Sequence, residues 1–336
     1  MSQNRLSFFI RKKRSGAYSI EELSQSLLNS FPKEFNYIKC ELPLGGASIK
    51  SILHNIWFAR RNRNEINHVS GEVNYIALGS GRNTVLTIHD VNSTFQMPSM
   101  IKKVIIYILW YFIPSLIVKR ITVISNFSKN ELTKLIPWAK HKIVVVPNSI
   151  NQYLLSAKIV SQKAELQGRS FKLLQIGTKS NKNLERVVEA IKGLKIELTI
   201  IGVLSEKQIQ CLKEGLIDFK TFSNLSYDEV IEKYQETDAV CFVSTYEGFG
   251  MPIIEAQALN KPLITSNIGA MKEVSNGSAL EVNPYKVDEI RAGIIQLMNN
   301  DDLKSIILEK GKENILRFYP KTIRDQYMAI YEDLLN

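Results

Sequence analysis

Short runs of β-branched and aromatic residues alternate along this chain with stretches in which apolar positions recur every three or four residues. In the first half the runs fall at Leu6 to Ile10, Tyr37 to Glu41, Ile66 to Val69 and Thr84 to His89, each reading as a short strand. Helical patterns lie between them. Ser48 to Arg61 is one, and Ser19 with Glu22 three residues later reads as a capping box that opens another through Leu28. The alternation then restarts. Strands are predicted at 171 to 177, 196 to 202, 218 to 222, 239 to 245, 262 to 266 and 279 to 283, with helices beginning near Asn183, Ser205, Tyr227, Pro252, Ala270 and Val287. Two last helices, Asp302 to Phe318 and Lys321 to Leu334, are split by Pro320. Strand and helix in strict alternation predict α/β architecture with parallel, doubly wound sheets. The break in pattern from Asn148 to Arg169, after Pro147, divides the chain into residues 1–150, residues 151–316 and a tail of residues 317–336.

Composition narrows the class. A chain of 336 residues is long enough for two domains that each bury a substantial core. Cys40, Cys211 and Cys241 are scattered and odd in number, which favours neither a disulfide framework nor a cysteine metal site. The apolar run near the start precedes its basic cluster, the wrong order for a secretory signal, so a reducing cytosol is expected and the Asn-x-Ser/Thr matches are chance. Charge is uneven: residues 1–150 hold 20 Lys and Arg against 8 Asp and Glu, whereas residues 151–336 hold 23 against 25. The basic half calls for an anionic partner. Aromatic residues are not interleaved with its basic clusters as on a base-stacking platform, so nucleic acid is not expected.

The stretch Glu247-Gly248-Phe249-Gly250-Met251-Pro252-Ile253-Ile254-Glu255 carries the clearest chemistry. It joins a predicted strand to a helix with proline in its first turn. Glycines there bring backbone N–H groups close to a ligand at a helix N-terminus, a setting for phosphate or sugar hydroxyls. A second turn, Gly177-Thr178-Lys179-Ser180-Asn181-Lys182-Asn183, follows the first strand of the second half. Lys182 stands where a helix begins, a position that favours an anion beside it. His89-Asp90 closes one strand, His68 ends another, and the basic loop Arg11 to Gly16 follows the first. Strand carboxyl ends are where such sheets present ligands. Gly79-Ser80-Gly81 lacks the third glycine of a dinucleotide fingerprint and reads as a turn. No HExxH, cysteine pair or Asp-x-Asp is present, so neither a metal nor another cofactor is expected.

The two glutamates, with seven residues between them in STYEGFGMPIIEAQALNKPLIT, resemble the signature of retaining glycosyltransferase family 4. LLQIGTKSNKNLERVVEAI, VVVPNSI, VISNFSKNEL and TVLTIHD extend the resemblance over most of the chain, more weakly before residue 65. It implies the GT-B fold, two Rossmann-like doubly wound domains facing a cleft, with the tail crossing back to the first. It also implies a nucleotide-diphosphate sugar as donor, held by the second domain, and a hydroxyl acceptor. Glu255 would then bind the ribose, Glu247 and the N–H groups of Phe249 to Met251 the sugar, and Lys182 the diphosphate beside Gly177. Family members commonly carry an arginine after that glycine, and Thr178 replaces it here. His89 would lie near the transferred sugar, with His68 a weaker candidate. Ser15, Gly16, His68 and Asp90 would face the acceptor.

Two other classes stay open, a sugar-nucleotide epimerase of the same architecture and a non-catalytic nucleotide-sugar binding module. Residues 104 to 118 form an uncharged run flanked by Lys102, Lys103, Lys119 and Arg120. Fifteen residues with Pro114 among them fall short of the roughly 20 that span a bilayer. The run reads as a core helix or as an element that meets an anionic membrane surface, where a lipid-linked glycan acceptor would be found.

Overall fold

The computed structural model describes residues 6–12, 19–91, 99–156 and 168–335. The chain forms two compact units, Met1–Asn151 with Tyr319–Asn336 and Gln152–Phe318. Each is built on a six-stranded, wholly parallel sheet.

In the first unit the strands are β1 (Leu6–Ile10), β2 (Tyr37–Glu41), β3 (Ile66–Val69), β4 (Thr84–Ile88), β5 (Arg120–Val123) and β6 (Ile143–Val145), in the order β2-β1-β3-β4-β5-β6. β1, β3 and β4 are buried along their whole length because helices cover both faces, which is why they read as unbroken apolar runs instead of alternating ones. One face packs Phe9, Val69, Leu86 and Ile121 against Ala59, Tyr75 and Tyr111. The other packs Phe8, Ile66 and Val85 against Leu27, Ile323, Tyr327 and Tyr331. The helix Pro320–Leu335 thus belongs to the core of the first unit although it ends the sequence.

Gly79-Ser80-Gly81 is not a simple turn. Gly79 lies in the short helix Ala77–Ser80, and Gly81, at φ +83°, closes it. A Cβ on Gly79 would collide with the backbone carbonyl of Ile56, so the glycine lets this helix lie directly on the helix Ile49–Arg61. The uncharged run is likewise more than one of the two alternatives. Met100–Ile117 is helical throughout, with a π-helical stretch at Tyr107–Phe112 ahead of Pro114. Tyr111, Pro114 and Ser115 face the core, whereas Ile101, Val104, Ile105, Ile108 and Leu116 are exposed.

The second unit contains β7 (Phe171–Ile176), β8 (Ile196–Ile201), β9 (Asp218–Phe222), β10 (Ala239–Phe242), β11 (Leu263–Ser266) and β12 (Leu280–Val282), ordered β12-β11-β10-β7-β8-β9. Its helices start where capping side chains predict. Ser205 with Gln208 and Ser226 with Glu229 each form a reciprocal capping box. The strand order reverses between β7 and β10, and the crevice at such a switch point is where open α/β sheets bind ligands.

Candidate functional site

Both turns singled out in the second half of the sequence leave the carboxyl ends of β7 and β10, on either side of that switch point. Gly177 has φ +86°, and a Cβ there would sit 2.9 Å from the Lys182 side chain, so the glycine makes room for the lysine stem to fold back over the turn. Asn183 adopts the left-handed conformation and caps the helix Leu184–Ile191. Its amide donates to the carbonyls of Val243 (3.0 Å) and Pro284 (2.7 Å). Asn181 donates to the Tyr246 carbonyl at 2.9 Å and accepts from the Thr245 N–H at 2.8 Å. These bonds lock one turn to the other.

Lys182 has an anionic neighbour within the chain. Its ammonium lies 2.7 Å from Glu247 Oε1 and 4.8 Å above the Phe242 ring, and both side chains of the pair are less than a fifth exposed. Asn181 donates to the same carboxylate oxygen at 3.1 Å. The lysine is therefore stabilised at a helix start without a ligand, and Glu247 occupies the charge that a diphosphate would otherwise neutralise.

Gly250, at φ +111°, is the N-cap of the helix Met251–Ala258, whose first turn carries Pro252 and no acidic residue. Phe249 anchors the turn by burying its ring edge-on against Phe318, centroids 5.5 Å apart. Among the described residues, no hydrogen bond within the chain engages the backbone N–H groups of Phe249, Gly250 or Met251. They remain open donors at the positive end of a helix. Glu255, one turn further, accepts a 2.6 Å bond from the Tyr234 hydroxyl. Burial first, and the Glu255 charge second, push that phenol well above its usual range, so it stays a donor. Thr178 does not offer its hydroxyl to a ligand in place of arginine. The group donates to the Val203 carbonyl at 2.6 Å, while the Thr178 carbonyl accepts from Gln208 at 2.8 Å.

In the first unit, His89 follows β4 with Nε2 3.1 Å from Ser70 Oγ. Burial, then the charge of Arg11, lower its pKa to about 4 against the opposing pull of Asp90, so the ring is neutral at pH 7. Arg11 is not a solvated loop residue. It is buried and paired with Glu21 at 2.8 Å and Glu72 at 3.2 Å. His68, expected to end its strand within reach of an acceptor, lies inside β3 and is fully buried. Its nitrogens meet the Tyr331 hydroxyl and Thr87 Oγ1, both at 2.6 Å, and burial lowers its pKa to about 3. That leaves neither nitrogen for a substrate, and the ring serves to tie the last helix to the sheet. Ser70, His68, Thr87 and His89 border a cavity of about 30 Å³, room for a water or two. The Asp90 carbonyl accepts from Tyr111 at 3.5 Å. Ser15, Gly16 and the side chain of Ser19 lie outside the described residues.

The second unit therefore gathers Gly177, Thr178, Lys182, Glu247 to Met251 and Glu255, whereas His68, His89 and Asp90 belong to the first. Tyr234 also shapes the site and carries no motif signal, since it acts through a contact made only on folding. Among the described residues, no three His, Cys, Asp or Glu side chains gather as metal ligands.

Residues 157–314, nearly all of the second unit, match the family model of glycosyl transferases group 1. The second unit carries a glycosyl transferases group 1 domain. Curated relatives include the O-antigen chain mannosyltransferase B of Escherichia coli, 26% identical over 64% of this chain, and an O-antigen chain mannosyltransferase of Salmonella typhimurium, 29% identical over 60%. The chain spans only 60% and 57% of those relatives' own lengths. A crystal structure of Anabaena HepE in complex with UDP and glucose superposes with a TM-score of 0.76 at 14% identity, covering 98% of this chain and all of the other. The group 1 domain sits in a GT-B fold, two parallel-sheet Rossmann-like units of six strands each.

Proposed function

We propose that the chain is a retaining glycosyltransferase that moves a hexose from a nucleotide-diphosphate sugar to a hydroxyl of a lipid-linked or polysaccharide acceptor. Surface-glycan assembly, of O-antigen, capsule or lipopolysaccharide type, is the setting suggested by the mannosyltransferases it resembles. The observation that carries the reading is the Lys182–Glu247 pair at the switch point, beside three open backbone donors. Donor binding then amounts to an exchange of partners. Lys182 leaves Glu247 for the diphosphate, and the freed Glu247 carboxylate turns to the sugar hydroxyls, with the N–H groups of Phe249 to Met251 alongside. Glu255, held from behind by Tyr234, takes the ribose.

In the transfer, the bond from the anomeric carbon to the diphosphate oxygen breaks and its electron pair leaves with the diphosphate. The acceptor oxygen bonds the same carbon on the same face, and its proton passes to a departing diphosphate oxygen. Lys182 and the helix N-terminus stabilise the negative charge that develops, which is preorganised electrostatic catalysis. No side chain acts as a covalent nucleophile. With Lys182 and the helix dipole supplying the positive charge, we propose that the reaction needs no metal. Neutral His89 is assigned a hydrogen-bonding role toward the sugar. The work is placed at the cytoplasmic face of a membrane, where lipid-linked acceptors are found.

Incubation with nucleotide sugars and lipid-linked glycans, with and without chelator, tests this reading by product NMR. An α-configured donor should give an α-linked product at an unchanged rate in chelator. A β-linked product would overturn retention, and loss of activity restored by Mn²⁺ would overturn metal independence.

A further inference from the structure

The helical segment Met100–Ile117 has a mean hydropathy of 1.7, yet only 17% of it is buried. Its inner side is fixed to the first unit. Trp110 donates to the Glu72 carbonyl at 2.8 Å, and the Trp110 carbonyl accepts from Asn74 at 2.9 Å. Along the outer side, Met100, Ile101, Val104, Ile105, Ile108, Phe112 and Leu116 are all exposed. Together they form an exposed apolar stripe along the segment. Trp138 extends it, its ring 5.3 Å from that of Phe112. An exposed apolar stripe of this length on a soluble surface marks a contact to be covered.

Basic groups collect at the carboxyl end of the stripe. A cavity of about 390 Å³ is lined by Arg82, Lys119, Arg120, His141 and Lys142 together with Leu116 to Val118, and no acidic side chain lines it. Lys142 donates to the carbonyls of Ser115 (2.8 Å) and Val118 (3.0 Å), which holds its charge at the rim. Arg120 pairs with Asp333, while Arg82 has no carboxylate partner among the described residues. Burial, and then the nearby charge of Arg82, hold the Lys142 ammonium below the usual lysine range.

We propose that the first unit docks on an anionic bilayer, with the Met100–Ile117 stripe in the acyl boundary and a lipid headgroup phosphate in the Arg82–Lys142 recess. Apolar stripe and cationic recess together are what an interfacial element requires: one supplies burial and the other attraction to anionic lipid. The segment lies on the membrane and does not cross it, because its inner side is core. The docking accords with the lipid-linked acceptor proposed above, but vesicle binding needs neither donor nor acceptor, so either idea can fail alone.

Sedimentation with phosphatidylglycerol and phosphatidylcholine vesicles, at low and high salt, decides it. The wild-type chain should bind phosphatidylglycerol preferentially and lose that preference in salt. The exposed pair Ile101→Glu with Ile105→Glu should lower binding to both vesicles about tenfold or more, with the circular dichroism spectrum unchanged. Arg82→Gln should weaken phosphatidylglycerol binding about fivefold and leave phosphatidylcholine untouched. Failure of the wild type to sediment would overturn the docking. Equal, salt-insensitive binding to both vesicles would overturn the headgroup recess. Self-association abolished by the Ile101 and Ile105 changes, without vesicle binding, would assign the stripe to a second copy of the chain.

Discussion

Glu255 and Glu247 occupy neighbouring places in the sequence but different electrostatic settings. Glu255 accepts from a buried neutral phenol, whereas Glu247 accepts from an ammonium and an amide. If Glu255 binds ribose hydroxyls, Glu255→Gln removes a charge-assisted bond worth about 1.5–3 kcal/mol. Calorimetry should then show nucleoside diphosphate affinity down roughly ten- to a hundredfold, and unchanged affinity would reject the assignment. The glutamates were readable in advance because a turn motif is local. Tyr234 was not, because it reaches Glu255 from a different helix. His68 shows the opposite failure, a residue type that suggests chemistry at a position that is core. Its lowered pKa has a sign that can be tested. Above about pH 6.5 neither state holds the proton; below it the unfolded chain binds one and the folded chain does not until about pH 3. Stability contributed by neutral His68 is therefore lost as pH falls through that window, by about 1.4 kcal/mol per pH unit. Chemical denaturation should show a slope shallower by that amount in His68→Gln between pH 6.5 and 5, and equal slopes would contradict the buried neutral ring.

Among elements, the strands were legible and their environments less so. β7 and β10 announce themselves as apolar runs, and the turns after them as glycine and asparagine clusters. The close approach of the helices Ile49–Arg61 and Ala77–Ser80 left only a glycine pair in the sequence, whose meaning depends on which backbone comes near. Gly79→Ala should force the two apart and destabilise the first unit by about 3 kcal/mol, readable as a lowered melting temperature. A melting temperature equal to that of the wild type would show that the contact yields without cost. The Met100–Ile117 segment resisted assignment because hydropathy is a sum over all sides of a helix, while burial is decided side by side.

On the scale of the whole molecule, alternation of strand and helix made two doubly wound units legible, since a parallel sheet leaves little other use for such a pattern. The place of the tail, Tyr319–Asn336, within the first unit rests on tertiary contacts of Tyr327 and Tyr331 that periodicity does not encode. Charge divides the same way, with the basic excess in the half that bears the apolar stripe and the Arg82–Lys142 recess. The central claim, that the turns after β7 and β10 bind and activate a nucleotide sugar, is tested most directly by free-nucleotide release from a panel of nucleotide sugars. One donor should be hydrolysed slowly without acceptor, and Glu247→Ala should cut that turnover about a hundredfold without lowering nucleotide affinity. Binding without release even with acceptor present, conversion of the sugar without release, or no binding at all would each contradict it.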